Sequence, residues 1–251
     1  MGTESRVALV TRAGSGIGRA TALLLAAEGH GVACLDRDLD GVRETVDLVA
    51  EATDERVLAE AVAVDVRHEP EVQAAVSEAA ALGGGLDVVV NAAGIVFYRS
   101  LGETSQEDLR SILDVNLLGT YAVCRAAAPY LRARRGSIVN VASAAGLNGR
   151  AYLTAYSASK GAVVALTRSL AVELAPEVRV NTVCPSAVDT PMVAGVTLPD
   201  GVDPAKLARH PMLLGHMATA EEVAAAIWFL ASPASATTTG AVLAIDGGAG
   251  A

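Results

Sequence analysis

The chain has 251 residues, 52% of them hydrophobic but only 3% aromatic, so a core covered on both faces must be built from Ala, Val, Leu and Ile. Its 19 Lys and Arg against 28 Asp and Glu leave a formal net charge of −9, which argues against a nucleic-acid partner, since phosphate binding needs a basic surface. Cys34, Cys124 and Cys184 are scattered in apolar runs without zinc spacing, so they read as buried free thiols in a reducing compartment, and no metal site is expected.

Met1-Gly2-Thr3-Glu4-Ser5-Arg6 has no signal-peptide layout and leads straight into a first strand, Val7–Val10. A glycine-rich turn then opens a helix over Ile17–Glu28. Strands at Val32–Asp36, Ala61–Val64 and Leu86–Asn91 alternate with helices at Leu39–Ala52 and Pro70–Ala81. A long helix, Gln106–Arg134, follows, with Thr104-Ser105-Gln106-Glu107 as its capping arrangement. Next come a strand at Ser137–Ala142, a helix at Ala155–Ala175 stopped by Pro176, and a strand at Arg179–Val183. Thr219-Ala220-Glu221-Glu222 caps a last helix, Ala220–Ala231, before a strand at Ala241–Ile245.

Several strands, such as Leu86-Asp87-Val88-Val89-Val90, are apolar on both faces, the mark of a parallel sheet with helices above and below. The expected fold is α/β: one doubly wound, Rossmann-like domain over residues 1–251 with about seven parallel strands. Ala187 to Met217, rich in Pro, Gly and Met, departs from the alternation and reads as a lid over the site. The apolar run Ala20 to Ala27 is far too short to span a bilayer, so a cytoplasmic protein without a membrane partner is expected.

The turn Thr11-Arg12-Ala13-Gly14-Ser15-Gly16-Ile17-Gly18 lies between the first strand and the first helix. Gly16 and Gly18 let the backbone approach a pyrophosphate, and the helix N-terminus offers free N–H groups. Asp36 ends the second strand, where a carboxylate accepts hydrogen bonds from the adenosine ribose and repels a 2′-phosphate. At about 4 Å and an effective dielectric of ~20 that repulsion is on the order of 4 kcal/mol per charge pair. NAD is therefore expected over NADP, although Arg37 weakens the discrimination. Asp65-Val66 after the third strand suits an adenine edge, and Asn91-Ala92-Ala93-Gly94 after the fourth lets a cofactor cross the strand ends.

Tyr156 and Lys160 are four residues apart, hence on one helix face, with Ser143 upstream. A free tyrosine ionises near about pH 10, and a neighbouring cation lowers that value toward a general acid/base suited to alcohol–carbonyl chemistry. Alone, the spacing equally fits a half-buried tyrosine beside a solvated lysine.

Together these residues resemble the short-chain dehydrogenase/reductase family from Val7 to Gly248, with Asn116, Pro185, Thr190 and Asp246-Gly247-Gly248 completing the pattern. The resemblance implies a catalytic set of Asn116, Ser143, Tyr156 and Lys160. In it Tyr156 exchanges the proton, Ser143 holds the substrate oxygen, Lys160 lowers the tyrosine pKa and binds nicotinamide ribose, and Asn116 kinks its helix and holds a relay water. It implies cofactor contacts from Thr11, Arg12, Ser15, Gly16, Ile17, Gly18, Asp36, Arg37, Asp65, Val66 and Asn91 to Gly94, and from Tyr156, Lys160, Pro185, Ser186, Val188 and Thr190. Substrate contacts fall to Ser143, Ala145, Tyr156 and Met192, and a homotetramer is implied, with Ala155, Ala158, Ala162 and Ala165 on a close-packed face.

Two positions depart from the family pattern: Arg12 stands where glycine is usual, and Ser186 where glycine follows Pro185. Arg12 either restricts the turn, pairs with Asp36 or recruits a 2′-phosphate. The apolar lid residues, among them Met192, Val193, Val196, Leu198, Met212 and Leu213, suggest an apolar alcohol or ketone. The leading expectation is an NAD-dependent secondary-alcohol dehydrogenase or ketone reductase. An NADPH-dependent 3-oxoacyl-[acyl-carrier-protein] reductase and a non-catalytic dinucleotide-binding redox regulator are the alternatives.

Overall fold

The computed structural model describes residues 6–53, 56–208 and 210–251. Seven short apolar runs form the strands β1 (Val7–Thr11), β2 (Gly31–Asp36), β3 (Ala59–Ala63), β4 (Val88–Asn91), β5 (Ser137–Val141), β6 (Arg179–Pro185) and β7 (Val242–Ile245). They pair in parallel in the order β3-β2-β1-β4-β5-β6-β7. The helices are α1 (Gly16–Ala27), α2 (Leu39–Thr53), α3 (Glu69–Ala81), α4 (Gln106–Leu113), α5 (Thr120–Arg134), α6 (Thr154–Leu174), the single turns α7 (Pro191–Ala194) and α8 (Pro204–Leu207), and α9 (Ala220–Ala231).

Side chains alternate across a strand, and β1 shows why both faces of the sheet must be covered. Val7 and Leu9 enter a core closed by α3, α5 and α6, whereas Ala8 and Val10 enter a second core closed by α1, α2 and α9. This is the Rossmann-like, doubly wound arrangement. From β3 the chain returns to the far side of β1 as β4, so successive connections leave the middle of the sheet in opposite directions. The carboxyl ends of β1 and β4 part there, and a crevice opens between them.

Most elements lie within two residues of where the apolar periodicity puts them. The fourth strand begins at Val88 rather than Leu86, because the Asp87 carboxylate leaves the ladder to accept a hydrogen bond from Val7 N at 2.8 Å. The long helix expected over Gln106–Arg134 is interrupted by a wide π turn at Asp114–Gly119. Its side chains explain the break: the Asn116 amide bonds the Ile95 backbone and Ser159, and a Cβ on Gly119 would lie 2.6 Å from the Val66 side chain. Capping boxes start α4 (Ser105 with Asp108) and α9 (Thr219 with Glu222).

The segment 187–217 carries α7 and α8 and is pinned at its base by a bridge between Val188 and Ala218. Cys34, Cys124 and Cys184 are buried and unpaired. Among the described residues no helix is long and apolar enough to cross a membrane. Met1 to Ser5, expected to lead directly into β1, lie outside the described residues.

Ile227 is fully buried where α9 seals the second core. Ile227→Ala is expected to lower the free energy of unfolding by about 2–5 kcal/mol, read from chemical denaturation, because the cavity cannot collapse between helix and sheet.

Candidate active site

The turn after β1 is tight because glycine allows it. A Cβ on Gly18 would lie 2.0 Å from the Arg12 carbonyl oxygen, so no side chain fits there. Gly16 takes φ +52 and Arg12 takes φ +53, left-handed values that suit glycine and strain other residues. Thr11 Oγ1 accepts hydrogen bonds from Ala92 N and Ala93 N, both at 3.0 Å, which ties the end of β1 to the end of β4. Gly14 N donates to Asp36 Oδ2 at 3.2 Å, which links the turn to the end of β2.

Two cavities adjoin along the carboxyl edge. The smaller, about 230 Å³, is bounded by Asp36, Arg37, Asp65, Val66, Ala93 and Ile95. The larger, about 560 Å³, takes in Gly16, Ile17, Gly18 and Ala92 on one side and Ser143, Ala145, Tyr156 and Lys160 on the other. Pro185, Ser186, Val188, Thr190 and Met192 complete that wall. Arg12, Ser15 and Gly94 border both cavities. The Arg12 guanidinium stands at this seam, its Nη1 donating to the Gly94 carbonyl at 2.5 Å. It feels the Asp36 charge but, among the described residues, forms no ion pair with that carboxylate.

Ser143 follows β5, and its hydroxyl donates to the Pro185 carbonyl at 3.3 Å while accepting from Ala145 N at 3.1 Å. Tyr156 and Lys160 project from the first turns of α6, with Lys160 Nζ 5.9 Å from the tyrosine ring centre. Lys160 is 4% exposed, and its ammonium donates to the Val141 carbonyl at 2.7 Å. Asn116 is fully buried and lines neither cavity. Its Oδ1 accepts from Ile95 N at 2.8 Å, and its Nδ2 donates to Ile95 O and to Ser159 Oγ, whose own hydroxyl donates to the Tyr156 carbonyl. Asn116 thus joins the β4 loop to the helix bearing Tyr156 and Lys160.

Asn91 also lines neither cavity: its amide turns into the core, donating to Asn140 Oδ1 at 2.9 Å. Asp65 borders the smaller cavity with its carboxylate gripped by Arg67, which holds it down to about 2. Of the apolar lid residues, Met192, Val193, Val196 and Leu198 face the larger cavity, whereas Met212 and Leu213 pack toward Gly247 and Gly248. The wall also contains Tyr98, Arg150 and Lys206. Arg150 lies in the loop between β5 and α6, and its sequence context, Asn148-Gly149-Arg150, is that of an ordinary turn.

Residues 12–250 match the family described as enoyl-(acyl carrier protein) reductase. The chain is 44% identical over 247 residues to cis-4-hydroxycyclohexanecarboxylate dehydrogenase of Sinomonas cyclohexanicum, covering 97% of this chain and 96% of the relative. It is 39% identical over 253 residues to the 3-oxoacyl-[acyl-carrier-protein] reductase of Thermotoga maritima, covering 99% of each. The structure of a 3-ketoacyl-(acyl-carrier-protein) reductase from Brucella melitensis complexed with NADH superposes with a TM-score of 0.86 at 33% identity, over 99% of both chains. The chain belongs to the short-chain dehydrogenase/reductase family and is an oxidoreductase of that family.

The charge balance at Tyr156 differs from the expectation that Lys160 lowers its pKa. Burial dominates and pushes the phenol up to about 12; the opposing pull comes from the Ser143 hydrogen bond and the Arg12 charge. Lys160 is turned to Val141, and burial together with the Arg12 charge holds its ammonium down to about 8. Below about pH 8 the lysine is charged in both the folded and the unfolded chain. Between about 8 and 10.5 the folded chain has lost a proton that the unfolded chain retains, so this group makes stability rise with pH. In thermal melts at about pH 7.5 and about pH 9.5, the Tm of the wild type relative to Lys160→Met is expected to shift in favour of the wild type at the higher pH.

Proposed function

We propose that the protein interconverts a secondary alcohol and a ketone with NAD(H), using Tyr156 as the proton donor and acceptor. One observation carries this reading: Ser143, Tyr156 and Lys160 converge on a single cavity that adjoins a glycine cradle and a second cavity edged by Asp36. The residues fit a nicotinamide dinucleotide. Gly16 and Gly18 leave bare backbone at the turn, Asp36 and Val66 edge the smaller cavity, and Lys160 and Thr190 edge the larger one. Bound there, the dinucleotide supplies or accepts the hydride.

In the reducing direction Tyr156 donates its hydroxyl proton to the carbonyl oxygen as charge develops on it, and Ser143 hydrogen-bonds the same oxygen. Lys160 stabilises the phenolate left behind when its ammonium leaves the Val141 carbonyl for the cleft. Asn116 positions α6 against the β4 loop so that Tyr156 and Lys160 hold their places. The Arg12 side chain leaves Gly94 when a ligand spans both cavities.

Asp36 supports NAD over NADP, because a carboxylate beside the ribose repels a 2′-phosphate. The NADH-bound structural relative agrees with that choice. A second reading, 3-oxoacyl-[acyl-carrier-protein] reduction with NADPH, is favoured by the Thermotoga relative's name and disfavoured by Asp36.

A panel of secondary alcohols and ketones with NAD(H) and NADP(H), followed by absorbance of the reduced nicotinamide, tests the reading. Tyr156→Phe is expected to lower kcat by at least about 10³-fold with little change in NADH affinity, since it removes the proton and keeps the ring. Unchanged turnover in that variant contradicts the mechanism.

A further inference from the structure

The charge of the larger cavity runs against the charge of the chain. With 28 acidic and 19 basic residues, a wall drawn at random holds more carboxylates than cations. The wall observed contains Arg12, Arg150, Lys160 and Lys206 and no Asp or Glu among the described residues. Arg12 and Lys160 lie at the dinucleotide side, beside Gly94. Arg150 and Lys206 lie apart from them, on the loop before α6 and on α8.

Arg150 is poorly matched by the protein itself. Nη1 donates to the His210 carbonyl at a long 3.3 Å, and Nη2 is buried without a hydrogen-bond partner. Among the described residues it forms no ion pair; Asp246 is near enough for its charge to be felt, but its Oδ1 accepts from Gly248 N instead. A buried guanidinium N–H without an acceptor is costly, and a turn of the side chain that presents the guanidinium to a carboxylate in the cavity, with two parallel bonds, removes that cost. Tyr98 is the wall residue whose charge it feels, and the same cavity carries the apolar Val96, Leu153, Met192 and Leu198.

We propose that the substrate is a hydroxy or oxo acid with a compact apolar body, whose carboxylate is bound by Arg150 with Lys206 at the cavity mouth. The inference rests on the oxidoreductase reading above and names its substrate class. The cation's place inside the cavity selects an acid group carried on the small body itself, rather than a phosphate at the far end of a long thioester arm. Desolvation of the half-buried Arg150, which lowers its pKa, agrees with a group prepared for a counter-ion. Because Arg150 is also bonded to His210, carboxylate binding ties the 187–217 segment to the site.

The test compares 4-oxocyclohexanecarboxylate, its methyl ester and acetoacetyl-CoA as substrates of the whole protein with NADH, and titrates the acid into the protein calorimetrically. The expected result is a kcat/KM at least about tenfold higher for the acid than for the ester. Arg150→Met is expected to collapse that ratio to near one and to weaken acid binding by about tenfold or more, and Arg150→Lys to restore part of both. Equal turnover of acid and ester by the wild type, or a preference for the CoA thioester that Arg150→Met leaves intact, overturns the proposal while the oxidoreductase reading stands. Arg150-dependent binding of the acid without turnover of any ketone supports the anion site and counts against the oxidoreductase reading.

Discussion

An ammonium group buried at the carboxyl edge of a parallel sheet sets the terms for its surroundings. Lys160 is charged at neutral pH with almost no water around it, and its protein partner is the backbone carbonyl that closes β5. Such a charge is tolerated only where dipoles converge on it or where a ligand completes its shell. Here one carbonyl dipole meets the ammonium, and two further elements enclose it. The end of β5 offers Val141 O, the β4 loop passes so close that a Cβ on Gly94 would lie 3.4 Å from Nζ, and Asn116 ties that loop to α6. The helix break at Asp114–Gly119 places Asn116 in that position, so an irregularity in one helix serves to fix another.

The same burial that makes the site possible keeps it quiet. A buried phenol resists ionisation, and the Ser143 hydrogen bond and the Arg12 charge only partly offset that resistance. Lys160 and Arg12 both hold backbone carbonyls rather than the tyrosine. Each has a neutral partner that an incoming anion or a developing phenolate outbids electrostatically. The active arrangement is therefore assembled by what binds rather than prepared in the empty protein, which is consistent with four cations gathering in a cavity of a chain with net charge −9.

Much of this was legible in residue order. Alternation in β1 divides Val7 and Leu9 from Ala8 and Val10, and a two-sided core follows. The Tyr156–Lys160 spacing puts both on one face of α6, and the glycine turn could sit only between β1 and α1. What was not legible depends on contacts distant in sequence. A kink at Asn116 was expected from the family pattern, but the width of the break at Asp114–Gly119 depends on contacts with Ile95, Ser159 and Val66. Asn91 has the expected position but turns inward because Asn140 on the adjacent strand offers an acceptor. The reach of Arg12 to Gly94, the stranded Nη2 of Arg150 and the upward direction of the Tyr156 pKa all depend on burial, which spacing does not encode.

The ionisation of Tyr156 in the protein without ligand tests this account most directly. It can be followed as the difference in tyrosinate absorbance between the wild type and Tyr156→Phe as pH is raised. The account predicts that the phenol stays protonated through neutral and mildly alkaline pH and ionises near 12. A transition below about pH 9 would contradict it, because the neighbouring cations would then have activated the tyrosine before anything is bound.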